Sequence, residues 1–375
     1  MKVALVHDWL NQMGGAEQVL LKLTELYPAS PIFTSIYDPD RVDNRFQTED
    51  VRTGFIQSLP KSSSLHRWYL PLYPLSFEGT RIDGYDAVIS NSSAFCKGVR
   101  TGPNTCHICY CLTPTRFVWS PENYLLHEDI PAMVRPMIKL MLSGLRRWDL
   151  VMANRVDVFV AISSVVSQRI KSAYGRECRI IFPPVETGNF YSSEQNENYF
   201  LIVSRLAPYK RIDLAVRACS RLGVRLKVAG SGRQMKELCN MAGPTVEFLG
   251  RVDDDQLKSL LSKCKALIFP GEEDFGIVPV EAQASGRPVI AFSAGGALDT
   301  VLPGTTGELF HEPEVGALEA TLSEFDDSKY VPRRLQQHAR RFDEKVFAES
   351  MKELVLESVL EHHPNPVRLG ENNVR

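Results

Sequence analysis

The sequence predicts an α/β protein whose parallel sheets are covered by helices on both faces and whose chain divides into two domains. Three observations carry this. Short apolar runs alternate with helical stretches, the pattern of strands buried on both sides. A polar, proline-bearing stretch, FPPVETGNFYSSEQNENYF, interrupts the alternation midway. The length of 375 residues is enough for two domains of ordinary size. On these grounds the first domain spans residues 1–185 and the second begins near Tyr199 and runs to 340.

Strand candidates in the first half are Val3–Val6, Ala87–Ser90, Ile108–Leu112, Val158–Ile162 and Ile180–Phe182. After the first, Gly14-Gly15 precede a helical stretch with Val19, Leu20, Leu23 and Leu26 at one-face spacing. A glycine pair between strand and helix admits a ligand close to the backbone, although any turn uses glycine too. Residues 55–80 hold Trp68, Tyr69, Tyr73 and Phe77 with no clean period, so they form a surface excursion whose aromatic residues either line a pocket or cover the core. Asn91, Ser92 and Ser93 follow a strand, and Thr113 and Arg116 follow the next, at the edge where open sheets bind ligands.

Residues 131–148 mix apolar Met133, Ile138, Leu140, Met141, Leu142 and Leu145 with Arg135, Lys139, Arg146 and Arg147. A helix packed on the sheet with a solvated face is the first reading, and contact with an anionic membrane surface the second. The tail from His362 carries Pro364, Pro366 and Gly370 and is expected to be mobile.

The second half opens with strand Phe200–Val203, followed by Arg205, Lys210 and Arg211 and a helix with Leu214, Ala215, Ala218 and Leu222 inward. Cations past a strand end, beside a helix start, suit a dianionic group, with a scattered basic surface as the plain alternative. Gly230 and Gly232 lack a third glycine at Met235, which weakens a nicotinamide-dinucleotide reading. The densest stretch is 264–310. Ala266–Phe269 reads as a buried strand, followed by Glu272, Glu273 and Asp274, then Gly276 and a helix starting near Pro279. That start puts Glu281 in the first turn. Val289–Phe292 is the next strand, closed by Gly295-Gly296.

Composition sets the class. Hydrophobic residues make up 44%, charged residues 23%, and the net charge is −2, so nothing draws the chain globally toward nucleic acid. The opening MKVALVHDWLN has four apolar residues before His7 and Asp8, a strand rather than a signal peptide. Apolar runs fall short of the ~20 residues of a membrane-spanning helix. Eight cysteines without a secretory signal predict a reducing, cytosolic setting. Cys106, Cys109 and Cys111 in CHICYCL read better as a buried strand than as a metal site, because no second cysteine pair supplies further ligands.

The segment from Glu273 to Gly296, with Glu273 and Glu281 separated by seven residues and with EDFG, EA-A-G-PV and GG, resembles the retaining, GT-B-fold glycosyltransferases of family 4. HDWL---GGAE, TP-R--W and SRL--YK extend the likeness along nearly the whole chain. The resemblance implies two Rossmann-like domains facing across a cleft, with a last helix, 341–361, returning to the first. It implies that Arg205 and Lys210 hold the donor diphosphate and that Glu273 binds hydroxyls of the transferred sugar. Gly14, Gly15, Gly230, Gly232, Arg251, Asp274, Phe275, Gly276, Ile277, Val278 and Glu281 would surround the donor, Glu281 on its ribose. Asn91, Ser92, Thr113 and Arg116 would face the acceptor.

No divalent metal or other cofactor is implied. Leu112 stands where many relatives have a histidine that contacts the donor sugar, so any such role is absent or relocated. Mannose from GDP-mannose is the expected donor and a UDP-hexose the second. The expected acceptor is a glycan or polyprenyl-diphosphate-linked sugar in surface polysaccharide assembly, reached from the cytoplasm or the inner membrane face. A sugar-nucleotide isomerase and a non-catalytic nucleotide-sugar-binding subunit remain alternatives.

Overall fold

The computed structural model describes residues 1–119 and 135–362. The chain forms two units: Met1–Phe182 together with residues from Phe347 onward, and Pro183–Val346. In the first unit the strands of the main sheet are β1 (Val3–His7), β2 (Ile32–Thr34), β3 (Val51–Thr53), β4 (Ala87–Ser92), β5 (Cys106–Cys111), β6 (Val158–Ala161) and β7 (Arg179–Ile180), beside a small pair, Arg81–Ile82 and Arg100–Thr101. Pairing is parallel throughout this sheet, in the order β3-β2-β1-β4-β5-β6-β7. β1, β4 and β5 are buried along their full lengths, which is why they read as unbroken apolar or small-residue runs.

The second unit holds β8 (Phe200–Val203), β9 (Leu226–Ala229), β10 (Val246–Gly250), β11 (Ala266–Phe269), β12 (Val289–Phe292) and β13 (Gly307–Phe310). Its strands are again parallel, in the order β10-β9-β8-β11-β12-β13. The strand order therefore reverses between β1 and β4 in one sheet and between β8 and β11 in the other. Such a switch point opens a crevice beyond the carboxyl ends of the two strands, where the loops diverge to opposite faces.

The helices that matter below are α1 (Gly15–Leu26), α2 (Arg135–Ala153), α3 (Ile212–Leu222), α4 (Asp254–Lys263), α5 (Ile277–Ala284) and α6 (Glu344–His362). α3 buries Leu214, Ala215, Val216 and Ala218. Leu222 is not inward as expected but 37% exposed, since the helix ends there on Gly223 in the left-handed region, φ +65°. α2 packs through Leu142, Leu145 and Met152, while Met137 and Leu140 stay 67% and 76% exposed beside Arg135 and Lys139. Its expected beginning, 131–134 with Met133, lies outside the described residues, as does the tail beyond His362.

The excursion at 55–80 divides its aromatic residues between both expected uses. Tyr73 and Phe77 are in the core, and Trp68 is 81% exposed. α6 passes into the first unit from Phe347 on. There Phe347 meets the Tyr110 ring edge-on at 5.7 Å, and Glu357 pairs with Arg179 at 2.6 Å.

The second unit begins earlier than Tyr199. Buried Arg287 donates from Nη2 to the carbonyls of Ser193 and Gln195, both at 2.8 Å, and from Nε to that of Ser262. The Val185 amide also donates to the Phe342 carbonyl at 3.0 Å. The polar stretch is thus stitched to the second core by backbone carbonyls, which any sequence of side chains provides.

Candidate functional site

Three loops of the second unit converge where its strand order reverses. Past β8, Arg205 is exposed and donates to the Tyr209 hydroxyl at 3.2 Å. Lys210, on a short 3-10 turn, stands 5.3 Å over the Tyr209 ring. Past β11, Glu273 forms an ion pair with Lys210, at 22% and 13% side-chain exposure. The predicted cation and the predicted carboxylate are thus joined directly. Tyr209, which the sequence reading passed over, links Lys210 to Arg205.

Glycine makes this convergence possible. A Cβ on Gly271 would lie 2.8 Å from the Lys210 Cα, and one on Gly295 would lie 2.2 Å from the Glu273 carbonyl oxygen. The Gly296 amide donates to that same carbonyl at 2.8 Å, so the loop after β12 clasps the one after β11. On the other side, Gly230 (φ +138°) would place a Cβ 1.8 Å from the Ser204 carbonyl oxygen. Gly232 similarly fits against Leu206, whose amide donates to Ser231 at 3.0 Å. Gly230 and Gly232 therefore set the Arg205 loop in place by close backbone approach. The Gly230 amide also donates to the Gly250 carbonyl, and exposed Arg251 follows at the end of β10.

α5 starts at Ile277, two residues before the predicted Pro279, with Gly276 at φ +90° as its N-cap. Pro279 is tolerated there because the first four helical amides have no carbonyl partner within the helix. The consequence is that Glu281 lies in the second turn, not the first. It is half-buried, and burial, with the Asp254 carboxylate of α4 adding to it, pushes its carboxyl up to about 7. The backbone amides of Ile277 and Val278 lie in the first turn, at the positive end of the helix dipole. Phe275 is buried and packs edge-on against Phe342 at 5.6 Å, so its ring belongs to the core. Asp274 is half-buried on the same loop.

The first unit is equipped differently at its own switch point. Asp8, just past β1 and 1% exposed, accepts from the amides of Ser93, Ala94, Phe95 and Cys96 at 2.6–2.8 Å and from the Ser93 hydroxyl at 3.0 Å. Gly14 and Gly15 open α1, and Glu17 in its first turn approaches His7 at 3.7 Å, both side chains 2% exposed. Asn91 and Ser92, predicted to edge an acceptor pocket, are buried inside β4. Asn91 Nδ2 donates to the Ala16 carbonyl at 2.7 Å and so secures the glycine loop. Among the described residues no hydrogen-bond partner meets Asn91 Oδ1, the Ser92 hydroxyl or the buried Thr113 hydroxyl. Arg116 is exposed. Its loop is held by Thr115 and Trp119, which donate to Asp149 at 3.0 and 2.7 Å, and Asp149 pairs with buried Lys97 at 2.6 Å.

Residues 188–342, the segment that carries the loops around Lys210 and Glu273, match the model of the family described as glycosyl transferases group 1. The likeness to that family is therefore one of the second unit. An alpha-1,3/1,6-mannosyltransferase of Dictyostelium discoideum is 22% identical, over 95% of this chain and 98% of its own. A GDP-mannose-dependent phosphatidylinositol monomannoside mannosyltransferase of Corynebacterium glutamicum is 29% identical, over 50% of this chain. The match spans 57% of that relative, and 55% of an uncharacterized glycosyltransferase of Methanocaldococcus jannaschii, a little over half of each. Among solved structures, HepE of Anabaena with UDP-glucose matches over 95% of this chain and 100% of that chain, with a TM-score of 0.70 at 20% identity. That likeness is one of fold: the two units are the two parallel-sheet domains of the GT-B class.

Proposed function

We propose that the protein is a retaining glycosyltransferase that moves a hexose, mannose from GDP-mannose first, onto a glycan or polyprenyl-diphosphate-linked acceptor in surface polysaccharide assembly. The observation that carries the reading is the Arg205–Tyr209–Lys210–Glu273 cluster at the switch point of the second unit. Cleaving a glycosyl–phosphate bond builds positive charge on the sugar and negative charge on the departing diphosphate. Arg205 and Lys210 answer the second, together with the amides of Ile277 and Val278. Glu273, next to Lys210, accepts from sugar hydroxyls, and Glu281 from the ribose. The leaving phosphate takes the acceptor's proton as the new bond forms on the same face, so no carboxylate has to act as nucleophile.

The two mannosyltransferase relatives favour mannose, and the UDP-glucose complex of HepE makes a UDP-hexose the second donor to try. On this reading Gly14 and Gly15 serve the donor and exposed Arg116 the acceptor. The proposed location is the cytoplasm or the inner face of the membrane. No described helix is long and apolar enough to cross a bilayer, and α2 with exposed Met137 and Leu140 among cations would rest on its surface.

The test is incubation with GDP-mannose and with UDP-hexoses against lipid-diphosphate sugars, with and without EDTA, reading product mass and anomeric configuration. Transfer of mannose with retention, undiminished by EDTA, is expected. Nucleotide release without a glycosylated product, or donor binding without transfer to any acceptor, would overturn the assignment.

A further inference from the structure

At the amino edge of the first sheet, opposite the glycine loops, three side chains from distant parts of the chain meet. Cys106 opens β5, Asp157 immediately precedes β6, and His362 closes α6. The Cys106 thiol, an Asp157 oxygen and a His362 ring nitrogen all lie within 4.8 Å of one another. Among the described residues this is the one group of at least three potential metal-ligand side chains so placed.

Two of the three donors are oriented by a second contact. His362 Nε2 lies 3.2 Å from the Pro103 carbonyl. A carbonyl only accepts, so Nε2 carries a proton and donates there, and Nδ1 is the ring nitrogen that faces Asp157. Asp157 Oδ2 accepts from the His107 amide at 2.7 Å, which turns Oδ1 toward His362. A ring nitrogen anchored to a carbonyl and a carboxylate anchored to an amide are the outer contacts that accompany metal ligands.

The separation points the same way. Nδ1 and Oδ1 are 3.9 Å apart, beyond a hydrogen bond. Two ligands on adjacent corners of a tetrahedron, at bond lengths of about 2.0–2.3 Å, are about 3.3–3.7 Å apart, so the His362–Asp157 pair is near ligand spacing and the thiol, within 4.8 Å of both, closes in on binding. One thiolate, one imidazole and one carboxylate suit zinc rather than the hard ions calcium and magnesium, which take oxygen. An exposed His–Asp ion pair would explain two of the three residues but leaves the convergence of the buried thiol unexplained.

We propose that Cys106, Asp157 and His362 form a zinc site that pins the end of the last helix to the amino edge of the first sheet. Binding displaces the thiol proton to solvent and leaves a fourth position for water. The proposal does not rest on the transferase reading, and all three ligands belong to the first unit, at the end of its sheet opposite the glycine loop.

The test uses the full chain, stripped of metal and titrated with cobalt(II) and then zinc. One equivalent of cobalt should give a thiolate-to-cobalt charge-transfer band that zinc abolishes, and zinc should raise the unfolding temperature. Cys106→Ser and His362→Ala should each lower metal affinity by at least about tenfold and abolish the zinc-dependent rise in unfolding temperature. His362 lies at a helix end, so its variant serves if the buried Cys106→Ser fails to fold. No charge-transfer band, or a band undiminished in His362→Ala, would overturn the proposal, because seven other cysteines could then be responsible.

Discussion

The two sheets reverse their strand order at matching points, β1/β4 and β8/β11, yet the loops at those points carry opposite charge. In the first unit an anion, Asp8, follows the first strand and fills a nest of four backbone amides after the fourth. In the second, the cations Arg205 and Lys210 follow the first strand, and the carboxylate Glu273 follows the fourth. A nest of amides at a strand end is a ready anion site. The first unit has closed its own with a carboxylate from within the chain. The second leaves its cations half-buried or exposed, Arg205 held by the Tyr209 hydroxyl and Lys210 by the Tyr209 ring and Glu273. The same topology therefore yields a sealed junction in one unit and an open one in the other.

The largest effect expected from breaking this contrast is on stability. Asp8→Asn leaves one oxygen to serve the nest and removes the charge. With at least two charge-assisted bonds lost at about 1.5 kcal/mol or more each, unfolding free energy should fall by about 3 kcal/mol or more. Denaturant titration measures this, and a change below about 1 kcal/mol would mean that the nest is not sealed by Asp8. Next comes Lys210→Ala. Turnover should drop on the order of 10²–10³-fold, as for loss of one preorganised group at a developing charge, while stability barely moves. Single-turnover rates with saturating donor decide it, and an unchanged rate would remove Lys210 from the leaving group.

Gly296→Ala tests whether the open junction depends on loops in contact. Its Cβ would meet the Phe275 Cα at 2.2 Å, and an overpacked site of this kind costs about 1–3 kcal/mol. Weakened donor binding should accompany the lost stability, and calorimetry with a nucleotide diphosphate would show whether the two go together.

The smallest effect is a pH dependence. Glu281 ionises at about 7 in the fold against 4.5 ordinarily. The neutral carboxyl therefore favours folding: its contribution is full below pH 4.5 and is lost as the pH rises through about 7. On the proposed reading nucleotide binding runs the other way, because only a carboxylate would accept from both ribose hydroxyls. Donor affinity should fall by up to about tenfold per pH unit below 7, and Glu281→Gln should flatten the profile. A wild-type profile already flat between pH 5 and 8 would separate Glu281 from the ribose.

Much of the open junction was legible in the sequence because its parts are local. β11 and β12 have the bounds that their apolar runs predict, and Lys210 and Glu273 each sit beside glycines that mark close approach. The helix start was misplaced by two residues because proline suits several positions in a first turn. Strands β2 and β3, three residues each, are too short to show a period. The sealed junction was hidden for another reason. Asp8 is satisfied by backbone amides 85–88 residues away, and amides carry no sequence signature. The meeting of Cys106, Asp157 and His362 is equally silent, since residue spacing encodes nothing about where the last helix ends.

The path of α6 has a consequence for synthesis on the ribosome. Residues 183–346 are contiguous and can fold as they emerge, but the first unit lacks Phe347 and its helix until nearly the whole chain has been made. At about 5–20 residues per second, roughly ten to thirty seconds separate the emergence of Phe182 from that of Phe347. During that interval the groove around Tyr110 that the helix will fill is open to water and to chaperones, so a nascent chain halted before residue 347 should be protease-sensitive in its first half and resistant in its second.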